Sequence, residues 1–252
     1  LKNDLRLSQV PAADHYRLGE VLSGALYAVL VKMHAARMRA RAAAVNSTLY
    51  SASGYALWTA ADHLKRMALR GLDYLPPGEV SFADYGRAVL AADLASHPDD
   101  PQEREWIAEE FVRREIVDDA RALLPDADLA AATRALRGVD LDALVEDDAV
   151  AAAFCAGEAG RAALGIPAGV AFVVEPRLTV AKAYYHRSPD GVVWEVTVRE
   201  GLLKVWWVAE EASPPLPKLS ARRAVVVGTT LSWERETGQA RVLLSTGSGM
   251  GR

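Results

Sequence analysis

The chain has one cysteine, Cys155, among its 252 residues, which excludes an internal disulfide. It also has little excess charge. Its 29 Lys and Arg stand against 33 Asp and Glu, a net charge of −4, and the two signs are interspersed. A nucleic-acid surface needs a basic stripe, whereas the one basic cluster here, Arg37, Arg39 and Arg41, reads as a solvated helix face. No apolar run reaches the roughly 18 residues of a membrane span; the longest, Val21 to Met33, is interrupted at Ser23, Gly24 and Lys32. Neither nucleic acid nor membrane is therefore expected as a partner. No apolar leader core follows Leu1-Lys2-Asn3-Asp4, so location stays open, with a mild preference for the cytoplasm. The sequence His-Glu-x-x-His does not occur, and the five His and single Cys show no metal-ligand spacing. No zinc is expected to be held by this chain alone.

What is present is a globular composition. With 51% hydrophobic and 25% charged residues, the chain can bury one large or two modest cores. Residues 17 to 73 read as helical. Val21, Leu22, Ala25, Leu26, Val29, Leu30 and Met33 recur at intervals of three and four, and Leu57, Leu64 and Leu72 continue the pattern beyond Asn46-Ser47-Thr48. Pro76-Pro77-Gly78 stops the second helix, since proline lacks the amide donor. A third helix is predicted over Phe82 to Leu94 and a fourth from about Gln102 to Val117. The core of this bundle is expected to hold Leu26, Val29, Leu57, Leu64, Leu72, Phe82, Val89, Leu90 and Phe111.

Beyond Asp118 the texture changes. Acidic, Ala-rich pieces over Asp126 to Ala135 and Asp140 to Cys155 suggest short helices, and from Val170 the β-branched and aromatic residues suggest strands. Ser188-Pro189-Asp190-Gly191 marks a hairpin turn. The reading is α+β: a helical part over residues 1–120, a short-helix connection over 121–165, and a smaller antiparallel β-rich part over 166–252.

Two stretches carry a family resemblance. The first is His15, then Gly19-Glu20-Val21, then Leu26-Tyr27. The second is Leu72-Asp73-Tyr74, Pro76 and Phe82-Ala83-Asp84-Tyr85-Gly86-Arg87-Ala88 through Asp93, followed by Phe111-Val112-Arg113-Arg114. Together they resemble the C-terminal part of gluzincin zinc metallopeptidases of the thermolysin-like and fungalysin-like kinds. The resemblance covers about the first 120 residues. It implies that His15 steadies the oxyanion of the tetrahedral intermediate; the carboxylate that orients such a His lies about five positions earlier in the family, where this chain has Val10, and Asp14 is the adjacent acid. Tyr16 and Arg17 would contact a peptide or protein substrate. It further implies that zinc, its ligands and the general-base Glu belong to an N-terminal portion carrying His-Glu-x-x-His, as a partner or in the same gene. The chain alone would then be inactive. The alternative is an inactive peptide- or protein-binding module on the same scaffold.

Other residues carry blander readings. Asp84 and Arg87, three apart, suit a helix-face ion pair, and His34 with Met38 suits packing. His63 stands alone. His97 with Asp99, Asp100 and Glu103 fits a turn and helix cap better than a zinc site. Cys155, in Ala151-Ala152-Ala153-Phe154-Cys155-Ala156, reads as a buried small hydrophobe, and Trp206-Trp207 as core.

Overall fold

Helices fill the first part of the chain and an antiparallel sheet ends it, the α+β order that the sequence pattern implies. The computed structural model describes residues 3–44, 48–97, 100–124, 129–174, 178–187, 193–212 and 222–246. Packing divides the chain into two compact units, Leu1–Asp73 with Phe82–Leu124 and Tyr74–Ser81 with Pro125–Arg252.

The first unit is built by four helices, α1 (His15–Ala44), α2 (Leu49–Tyr74), α3 (Phe82–Ser96) and α4 (Gln102–Arg113). Helix α1 starts where it does because the Asp14 carboxylate accepts the Arg17 amide at 3.1 Å, while the Asp14 carbonyl accepts the Leu18 amide at 3.0 Å. Its residues Val21, Ala25, Val29 and Met33, four apart, are fully buried and join Ala60, Leu64, Met67, Val89, Leu90, Ile107 and Phe111 in one core. Helix α3 is apolar nearly all round and buried from Gly86 through Asp93, as such a helix must be.

Two residues expected in this core lie outside it: Leu57 is 47% exposed and Leu72 53%. The inward stripe of α2 is made instead of small residues, Ala52, Ala56, Ala60 and Gly71, with Leu64 and Met67. Leu57 and Leu72 each fall one position past one of these, about 100° round the helix. A small-residue stripe lets backbones approach closely: a Cβ at Gly71 would lie 3.1 Å from the Val89 Cα. Leu26 and Phe82 are partly buried against the core.

Helix α1 also corrects the reading of its apolar run as too interrupted for a membrane span. It has 30 residues and contains an 18-residue window of mean hydropathy 1.2, so it is long and apolar enough to cross a membrane by length and composition. Its buried stripe spends part of that apolarity in the core.

The second unit contains helices α5 (Leu129–Ala135), α6 (Leu141–Glu146), α7 (Asp148–Ala156) and α8 (Glu158–Leu164). Its strands are β1 (Phe172–Val174), β2 (Leu178–Arg187), β3 (Val193–Ala212), β4 (Arg222–Glu234) and β5 (Ala240–Ser245). Two of the acidic residues noticed in the sequence are caps: Asp140 accepts the amides of Asp142 and Ala143, and Asp147 those of Ala149 and Val150. The short helices are more than a connection. Ala132, Leu144, Cys155 and Leu164 share one core with Leu203, Val205, Trp207, Leu231 and Trp233.

Strand β3 organises the sheet. All its pairings are antiparallel: one edge takes β2 along Val193–Leu202 and then β1 along Val205–Trp207, while the other takes β4 along Glu200–Ala212. Strand β5 closes the far side against β4, with a register shift at Ser232/Trp233. Pairing of β2 with β3 agrees with the hairpin reading; the turn residues 188–191 lie outside the described residues.

Candidate functional site

The segment leading to His15 is anchored by a buried arginine. Arg114, just past the end of α4 and 1% exposed, donates to the Asn3 Oδ1 at 2.7 Å, the Asn3 carbonyl at 2.6 Å and the Leu5 carbonyl at 3.0 Å. The Leu7 amide in turn donates to the Arg114 carbonyl at 2.9 Å. The Phe111 to Arg114 motif is therefore structural in this unit: Phe111 fills the core and Arg114 fixes the entering chain. Val10 is buried in the same core, and the chain turns at Pro11 to reach Asp14.

His15 is the first residue of α1 and is exposed. Among the described residues no group hydrogen-bonds or ion-pairs with its imidazole. The neighbouring Asp14 carboxylate accepts the Arg17 amide through Oδ1. Tyr16, 92% exposed, and the exposed Arg17 share that first turn. The four residues thus form an open, polar helix start. It can present an imidazole, a phenol and a guanidinium to an incoming group, and it has no buried wall of its own.

The structure brings together a second set of residues that sequence reasoning kept apart. Asp93 lies near the end of α3 with its side chain only 2% exposed, and its Oδ1 faces His97 Nδ1 at 3.0 Å and His63 Nε2 at 3.5 Å. Its Oδ2 accepts from Arg104 at 2.8 Å, and the same Arg104 nitrogen reaches the His97 carbonyl at 2.7 Å. The two imidazole rings are 4.9 Å apart. Behind His63, Arg37 of α1 meets Nδ1 and also donates to Glu103 Oε1 at 3.2 Å and the Thr59 carbonyl at 2.6 Å. Arg37 is thus tied into the unit, whereas Arg39 and Arg41 are exposed, Arg41 with its guanidinium 4.8 Å from the Tyr55 ring centre. Burial pushes the Asp93 carboxyl up, but hydrogen bonds from His63 and His97 outweigh it and hold the group well below the usual carboxylate range. Asp93 stays anionic at any physiological pH.

A local signal for this cluster existed. Asp93 and His97 are four apart, one helical turn, and so meet on one face. The third member, His63, is 30 residues earlier on α2, and only helix packing reveals it. Asp100, read as part of a cap, does accept the Gln102 amide, at 3.4 Å; Asp99 lies outside the described residues.

The remaining residues follow their bland readings. The Asp84–Arg87 pair forms at 3.6 Å, but inside the protein rather than on a surface. His34 contacts Ser53 Oγ at 3.1 Å. Cys155 is fully buried and Trp207 nearly so, but Trp206, its neighbour on β3, is only part-buried and falls outside the core, since successive strand residues face opposite sides. Compared with known proteins, the chain matches no family model, no curated protein and no solved structure.

Proposed function

We propose that this chain is the C-terminal portion of a gluzincin-type zinc metallopeptidase, contributing His15 and part of the substrate cleft to peptide-bond hydrolysis. Zinc, its ligands and the general base are assigned to an N-terminal portion carrying His-Glu-x-x-His, so this chain alone is inactive. The observation that carries the reading is the exposed His15 imidazole on the first turn of α1, with neither ring nitrogen bonded among the described residues, while its turn is fixed by the Asp14 cap. The zinc, when bound, supplies an activated water. An N–H of His15 would donate to the peptide carbonyl oxygen as negative charge grows on it. Such a donor stabilises the transition state more than the ground state. Tyr16 and Arg17 extend from the same turn, where the guanidinium can pair with a substrate carboxylate.

In the complete, zinc-loaded protein, His15→Ala is expected to lower kcat by about 10² to 10³, as loss of one oxyanion donor does. Tm should not move, because the side chain is exposed. Peptidase assays with parallel melts check this, and equal turnover in wild type and variant would return His15 to the role of a helix-start residue.

A second reading, a catalytically inactive peptide- or protein-binding module, is favoured by one feature. Helix α2 exposes Tyr50, Leu57, Trp58, Leu69 and Leu72, a large apolar surface for one helix. Peptide binding by the complete protein without hydrolysis would select this reading.

A further inference from the structure

We propose that His63, Asp93 and His97 form a binding site for one divalent transition-metal ion of the zinc type, fastening α2 to the end of α3. The inference is independent of the peptidase reading, which assigns its catalytic zinc to other residues. Two imidazole nitrogens and a carboxylate oxygen are the donor set that zinc-like ions select. Their placement fits such an ion. Zinc–ligand bonds of about 2.0–2.1 Å in a tetrahedron put neighbouring donors about 3.3 Å apart. Here His97 Nδ1 and His63 Nε2 lie 3.0 and 3.5 Å from Asp93 Oδ1, close to that spacing, while the three donor atoms fall within 4.8 Å of one another, so the two imidazoles draw together as an ion enters. The carboxylate is buried and anionic, while the histidines are 20% and 25% exposed, which leaves an entry path and room for a fourth ligand from water.

The surroundings hold these donors in place. Arg104 occupies Asp93 Oδ2, leaving Oδ1 as the ligand oxygen. Arg37 donates to His63 Nδ1, which puts the ring proton on Nε2. Ligation through Nε2 moves that proton to Nδ1, so the Arg37 Nη2 that now donates there has to turn away, leaving Glu103 Oε1, 4.0 Å from Nδ1, as the acceptor and the Thr59 carbonyl as the partner of Arg37 Nη1. A carboxylate on the far nitrogen of a metal-bound histidine fixes its tautomer and raises its basicity.

The competing account is an ion-free network in which two imidazoles and Arg104 simply satisfy Asp93. The full chain, stripped with EDTA, separates the two by titration with Zn²⁺ in a calorimeter and with Co²⁺ followed by its visible d–d bands. Uptake of one ion per chain, with a rise in Tm, is expected. His63→Gln and His97→Gln should each abolish it, and Glu103→Gln should weaken it by about 10- to 100-fold. His15→Ala should leave it intact, so failure of the peptidase reading and failure of this site are separate results. Circular dichroism establishes that each variant is folded; His97, a quarter exposed at a helix end, is the one whose replacement leaves the core untouched. No uptake by the wild type, or unaltered affinity in folded His63→Gln and His97→Gln chains, overturns the site.

Discussion

Burial pushes the Cys155 thiol up to about 12, so at neutral pH it is a small apolar group in the core of the second unit. Since the thiolate is the nucleophile, iodoacetamide should label the folded chain very slowly and become stoichiometric only in denaturant. Mass spectrometry of timed aliquots checks this; rapid labelling without unfolding would place Cys155 at a surface. That outcome was legible from the apolar residues on both sides of it. The neighbourhood of Asp93 was not. The sequence offered Asp93 and His97 one turn apart, but His63, Arg37 and Arg104 come from three other stretches of chain. A local reading therefore put Arg37 on a solvated helix face, left His63 alone and gave Arg104 no role.

At the scale of elements, α3 and α4 meet through an absent side chain. A Cβ at Gly86 would lie 2.5 Å from the Phe111 ring and 3.0 Å from Leu123. In an exposed helix, Gly→Ala gains about 1 kcal/mol from helix propensity. Here overpacking opposes it at about 1–3 kcal/mol, because Phe111 is 1% exposed and its ring has nowhere to go. Gly86→Ala should therefore shift the urea midpoint down, and a stabilised variant would show that the ring can yield. The same close approach explains why the burial of α2 was misread. Periodicity of large apolar residues pointed to Leu57 and Leu72, while the helix uses alanines and a glycine against its neighbours and leaves those leucines outside.

At the scale of the whole molecule, the charged network around Asp93 makes stability depend on pH. The folded-state carboxyl is held below its unfolded value of about 3.9. A depressed acid contributes stability that is fully present above the unfolded value and is lost as pH falls through the folded one. Unfolding free energy should thus fall below about pH 4, and Asp93→Asn should flatten that acid limb while lowering stability at neutral pH. Urea melts across the acid range on both chains test it; parallel curves would mean that Asp93 does not carry the dependence.

The order of classes, four long helices, then short ones, then a sheet, follows from the sequence alone, because periods of 3.6 and 2 are local properties of the chain. The sequence likewise determined the stops at Pro76-Pro77 and the burial of Cys155, which follow from neighbours in the chain. Only the tertiary structure decided that the short helices α5–α8 complete the core of the sheet rather than connect two parts. It alone decided that Arg114 anchors the segment before His15, and that His63 meets Asp93 and His97. These depend on which face each helix turns inward and how closely two backbones approach, and small residues set both. A pattern search weighted toward large apolar side chains passes over them.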